Sequence, residues 1–183
     1  MNDKHLVQIA LYAALVAALG FIPPIPFATG IPITAQTLGV MLAGIMLGPW
    51  RGALAMLLFA FVVALGAPLL SGGRGGLGVF MSPTAGFVIG FPFAALATGY
   101  MALWLRWLPV FPAALIAALF GGIIVLYVFG IAGFKLVTGR DWLSAVTIMW
   151  VYIPGDAVKT VLAALVAQAV YRGLPHAVGT RAA

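Results

Sequence analysis

The chain has 183 residues, of which 64% are hydrophobic and 7% charged, with no cysteine, two histidines and a net charge of +6. This composition excludes an ordinary soluble domain, rules out disulfides and thiolate metal sites, and leaves zinc almost no ligands. The nine basic residues are scattered singly among apolar runs, so the charge points to membrane topology rather than to nucleic acid.

Six apolar segments are expected to span the membrane, at about residues 6–22, 34–48, 53–70, 84–105, 111–129 and 154–171. Together they make residues 1–183 a single transmembrane domain, all-α and multi-pass. In the first segment Ala10, Ala14 and Ala18 recur every fourth residue. Small residues at that spacing give a smooth helix face for close packing, either against the rest of the bundle or against a separate subunit. The run ends in Pro23-Pro24-Ile25-Pro26 without a small-x-small pattern, so a cleavable signal peptide is not expected.

Residues 23–36 form an uncharged loop with four prolines and with Phe27, Ile31, Ile33, Thr34 and Gln36. The prolines hold it extended, as a lid over a pocket or as a connector near the headgroups. The second segment is short, and Gly48-Pro49-Trp50-Arg51-Gly52 reads as a tight turn at the interface. After the third segment comes a glycine-rich stretch around Arg74, followed by Phe80-Met81-Ser82-Pro83. It lacks the Lys-Ser/Thr ending of a P-loop. Its glycines would let backbone approach a ligand, and Arg74 offers a planar fork to a carboxylate or to lipid phosphates. The fourth segment ends in an aromatic belt at Trp104, Arg106 and Trp107. Residues 130–152, ending in Tyr152, are mixed in character and read as a part-helical external segment. Residues 173–183 are expected to be an exposed tail.

The sixth segment opens with Pro154-Gly155-Asp156-Ala157-Val158-Lys159. Proline suits the first helical turn, and Asp156 and Lys159, three apart, share a face. The acids are Asp3, Asp141 and Asp156, and only the last opens a long hydrophobic segment. An ionisable residue at membrane depth is a functional-site candidate by default, although a helix-capping, fold-stabilising pair would use the same residues. Six spans place both termini on one side. If that side is cytoplasmic, Lys4, Arg51, Arg106, Arg172 and Arg181 lie inside against Arg74, Lys135 and Arg140 outside, in agreement with the positive-inside rule. The proline loop, the Arg74 loop and Asp156 then meet at the outer face. Aromatics such as Phe27, Phe80 and Tyr152 would hold the apolar middle of a ligand there.

Three stretches, Ile31-Pro32-Ile33-Thr34-Ala35-Gln36-Thr37-Leu38, Phe80-Met81-Ser82-Pro83-Thr84-Ala85-Gly86 and Pro154 to Lys159, resemble the signatures of the BioY family. That family is the biotin-specific substrate-binding (S) component of energy-coupling factor (ECF) transporters. The resemblance implies a six-helix S-component fold in the cytoplasmic membrane of a prokaryote, both termini cytoplasmic, with biotin captured from outside. It implies as partners a transmembrane coupling protein and two cytoplasmic ATPases, with the Ala10, Ala14 and Ala18 face as the docking surface. Asp156 and Lys159 would meet the ureido ring and Arg74 the carboxylate, or the reverse, with Gln36, Thr34 and Ser82 as further polar contacts. No cofactor, metal ligand or catalytic residue is expected. The alternatives are an S component for another vitamin, or an intramembrane enzyme using Asp156, which would have to recruit Asp141 as its second acid.

Overall fold

A computed structural model describes residues 3–26 and 31–181. Its helices are α1 (Asp3–Gly20), α2 (Gln36–Leu47), α3 (Pro49–Ala64), α4 (Ala85–Trp104), α5 (Val110–Leu119), α6 (Leu126–Thr138), α7 (Trp142–Met149) and α8 (Ile153–Gly173). A π-helical turn at Phe120–Val125 joins α5 to α6, so that residues 110–138 run as one rod of 29 residues. Among the described residues, three helical stretches are long and apolar enough to cross a membrane, 85–104, 110–138 and 142–173, while α2 and α3 are shorter apolar helices.

The bundle is built around α2. From Gly39 to Leu47 every residue of it is buried, as expected of a helix that is apolar all round, and it packs on α1, α3, α4 and α8. One cluster, with Val16, Val40, Met56, Phe59, Val88 and Phe91, binds α1–α4 together. Another, with Met41, Ile45, Ala114, Ala118, Ala163 and Ala167, joins α2 to α5 and α8. Small residues allow a close crossing of α4 and α6: a Cβ added to Gly86 of α4 would meet the Phe129 carbonyl and, at 2.9 Å, the Cα of Gly133 in α6.

Several boundaries differ from the sequence reading, each for a local reason. The third helix starts at Pro49 rather than near 53, because Gly48 makes the turn alone with φ +83° and Pro49 takes the first helical position. It ends at Ala64 rather than near 70, where the chain turns at Gly66 with φ +108°. The fifth helix continues well past 129, because Gly130 and Gly133 seat it against Phe87 and Gly86 of α4. Only Gly139–Asp141 separates it from α7. Gly139 closes α6 in the left-handed conformation, and Asp141 caps α7 by accepting from the Ser144 N–H and hydroxyl at 3.1 and 2.6 Å. Those two donors hold the exposed Asp141 carboxyl below its ordinary range.

The tail is packed, contrary to expectation. Val178 and Thr180 are buried, the Gly179 N–H donates to the Met46 carbonyl at 2.7 Å, and the Thr180 hydroxyl donates to that of Ile45 at 2.8 Å. These are last-turn carbonyls of α2 that the helix itself leaves without partners. Arg181 donates to the carbonyls of Arg106 and Leu108, both at 2.7 Å. At the same end Arg51 meets His5 Nδ1 at 3.0 Å and Gln8 at 3.3 Å. The start of α1, the α2–α3 and α4–α5 turns and the C-terminal tail therefore gather at one end of the bundle.

Gly86→Leu is expected to force α4 and α6 apart, costing about 1–3 kcal/mol as overpacking does. A melt of the detergent-solubilised protein should show a clearly lower midpoint, and an unchanged midpoint would mean that this crossing is not tight in solution.

Candidate functional site

At the opposite end the first turns of α2, α4 and α8 converge beneath the proline loop and the Arg74 loop. Between them lies a cavity with about 570 Å³ of empty space, its open mouth included. Ile31–Thr34 contribute from the proline loop, Gln36 and Thr37 from α2, Leu70 and Arg74 from the glycine-rich loop. Thr84, Phe87, Val88 and Phe91 line it from α4, and Tyr152, Asp156 and Lys159 from the start of α8.

Its polar floor is a closed network. Lys159 Nζ lies 2.7 Å from Asp156 Oδ1 and donates to the Thr37 hydroxyl at 3.0 Å, which in turn donates to the same Asp156 oxygen at 3.2 Å. From behind, the Tyr127 hydroxyl donates to Asp156 Oδ2 at 2.6 Å. Asp156 is buried, 5% exposed, where an unpaired carboxylate would be strongly unfavourable. One ammonium and two hydroxyls compensate it.

Arg74 lines the same cavity by a different construction. An antiparallel bridge between Leu70 and Arg74 closes the loop, and glycines at 72, 73 and 76 adopt positive φ, which side chains disfavour. The guanidinium donates to the Ser71 carbonyl at 3.3 Å and the Thr84 hydroxyl at 3.2 Å. The ion pair among the described residues is Asp156–Lys159, so Arg74 has no carboxylate partner there. Ser82 stands one step behind, 2.9 Å from the Thr84 hydroxyl.

The remaining predicted residues divide by position. Thr34 and Tyr152 line the cavity, and the Tyr152 hydroxyl donates to the Ile31 carbonyl at 2.6 Å, tying the proline loop to α8. Gln36 also borders it, yet its amide is engaged elsewhere. Nε2 donates to the Val16 and Leu69 carbonyls and Oε1 accepts from the Ser71 N–H, all at 3.1 Å. Phe80 packs on the α1–α4 core and is not a lining residue. Phe27 lies outside the described residues. Ala10, Ala14 and Ala18 are exposed, while Ile9, Ala13 and Val16 form the buried face of α1. Thr37 and Tyr127 were not anticipated. Thr37 is signalled only by its place beside Gln36, and Tyr127 sits in an apolar run with nothing to mark it.

A second concavity, between Phe93, Tyr100 and Trp104 of α4 and Phe120, Val125 and Phe129, has an almost wholly apolar lining and so has little with which to orient a polar ligand.

A sequence profile of the BioY family matches residues 1–176. The chain belongs to the BioY family. Among curated members, the biotin transporter BioY of Rhodobacter capsulatus is 50% identical, over 98% of this chain and 99% of that one. The biotin transporter BioY of Rhizobium etli is 47% identical, over 96% and 97%. A crystal structure of the S-component for biotin from an ECF-type ABC transporter superposes with a TM-score of 0.87 at 29% identity, covering 93% of this chain and 92% of that one. The fold of this BioY chain is therefore the six-helix S-component fold, with α5 and α6 forming one of the six rods and α7–α8 another.

In this BioY chain Gln36 ties α1 to the segment after α3. Gln36→Leu removes three hydrogen bonds to backbone and leaves the buried Ser71 N–H without its acceptor, at a cost of about 1–3 kcal/mol. Its melting midpoint should fall well below that of the parent protein, and a midpoint within a degree of it would refute the stapling role.

Proposed function

We propose that this chain is the biotin-binding component of a prokaryotic uptake transporter, a multi-pass protein of the cytoplasmic membrane that binds its cargo and leaves it chemically unaltered. The observation that carries this reading is the cavity's polar layout, a buried Asp156–Lys159–Thr37 floor and a separate guanidinium at Arg74 on an otherwise largely apolar lining. Biotin has a ureido ring with donors and an acceptor, an apolar thiophane ring and valeryl chain, and a terminal carboxylate. The ureido ring meets the floor, the apolar middle lies against Phe87, Val88 and Phe91, and the carboxylate meets Arg74 as a charge-assisted pair.

Both termini face the cytoplasm and the cavity opens outward. The proline loop, held to α8 through Tyr152, closes over bound biotin. Energy comes from partners, because the chain carries no Walker motif. A transmembrane coupling protein docks on the exposed Ala10, Ala14 and Ala18 face, where small side chains allow close helix approach, and two cytoplasmic ATPases drive delivery. The enzyme alternative finds no support in the geometry, since Asp141 caps α7 rather than joining Asp156 in the cavity lining.

Equilibrium titration of the purified protein should show saturable biotin binding and return biotin intact. Arg74→Ala should weaken biotin by about tenfold or more, the scale of a lost charged hydrogen bond, and weaken biotin amide much less. Equal weakening of both ligands would remove the carboxylate from Arg74.

A further inference from the structure

The hydrogen-bond inventory of the floor goes further than the pairing of two charges. A carboxylate accepts about four hydrogen bonds and an ammonium donates three. Asp156 Oδ1 already accepts from Lys159 and Thr37, and Oδ2 from Tyr127. Lys159 already donates to Asp156 and Thr37. One acceptor position on Oδ2 and one donor on Nζ are left, on two residues one helical turn apart that both line the cavity.

Tyr127 is the group that sets this remainder from outside the cavity. It is 8% exposed, is not a lining residue, and packs edge-on against Phe87, ring centroids 6.2 Å apart, with Phe87 itself in the lining. Its hydroxyl fills one of the two acceptor positions of Oδ2. Without it, the carboxylate loses the hydrogen bond that fixes its plane from behind, and Oδ2 can turn both acceptor positions toward the cavity and take both hydrogens of an amidine-like edge.

We propose that Tyr127, with Thr37, is a specificity-setting positioning residue that limits the floor to one acceptor and one donor, so that the cavity selects a ring edge carrying an N–H beside a C=O. This rests on the assignment of the ureido ring to Asp156 and Lys159. A neutral cyclic urea presents that edge. Its guanidinium analogue places a second donor where the urea has its carbonyl, against the Lys159 donor, and is rejected.

The test measures dissociation constants of biotin and of 2-iminobiotin, at a pH where its guanidine is protonated, for the full chain and for Tyr127→Phe. The parent should prefer biotin. In Tyr127→Phe that preference should shrink by about tenfold, the scale of one charged hydrogen bond, with biotin weakened and the guanidinium analogue unchanged or tighter. Weakening of both ligands by the same factor, or of neither, would overturn the inference. Thr37→Val removes the hydroxyl that holds Asp156 Oδ1 and Lys159 Nζ in register and should loosen selectivity in the same sense, whereas Thr37→Ser keeps the hydroxyl and should retain it. That pair decides the matter if Tyr127→Phe does not fold, and equal selectivity in Thr37→Val and Thr37→Ser would overturn the inference. Absence of saturable biotin binding by the parent chain would instead remove the functional reading itself, and the inference with it.

Discussion

The structure depends on holding one carboxylate inside an apolar bundle. Asp156 is buried at the start of α8, where a bare charge would be far too costly to keep. Lys159, one turn on, supplies the compensating charge, and hydroxyls from α2 and α6 donate to the carboxylate as well. Three helices distant in sequence are thereby fixed to a single group. Their common point is also where the cavity begins, so the requirement that stabilises the charge is the one that shapes the ligand site.

The rest of the bundle keeps those helices in register. The buried α2 brings Thr37 to the floor. Close contact at Gly86 and Gly133 sets α6 beside α4, which places Tyr127 behind Asp156 and Phe87 in front of it. Gln36 joins α1 to the chain leading into the Arg74 loop, and Tyr152 ties the proline loop to α8. At the far end the tail caps α2 and the α4–α5 turn.

Much of this was legible in the sequence because a membrane protein with so few charges advertises each one. Asp156, Lys159 and Arg74 stood out as ionisable groups among apolar runs, and the structure brings all three into one cavity lining. The uncharged contributors were harder to find. Tyr127 lies in a helix whose periodicity is purely apolar, and only the α4–α6 crossing turns it toward Asp156. Gln36 looked like a ligand group because it is polar at a motif position, but spacing cannot reveal the backbone carbonyls that three other segments bring to it. The tail reads as exposed because capping of the C-terminal end of α2 by Gly179 and Thr180 is a tertiary event with no local pattern. For the alanine face the sequence left internal packing and external docking open; in the structure Ala10, Ala14 and Ala18 are exposed, and Ile9, Ala13 and Val16 form the packed face of α1.

The central claim, that the carboxylate on which three helices converge is also the group that holds the ligand, is tested most directly by the biotin affinity of Asp156→Asn alongside its melting midpoint. Truncating one member of a buried hydrogen-bonded charge pair costs about 2–5 kcal/mol at a binding site. The expected result is an affinity lower by roughly a hundredfold in a protein that still folds and inserts. An affinity equal to the parent's would contradict the account and reduce Asp156 to a structural anchor of α8.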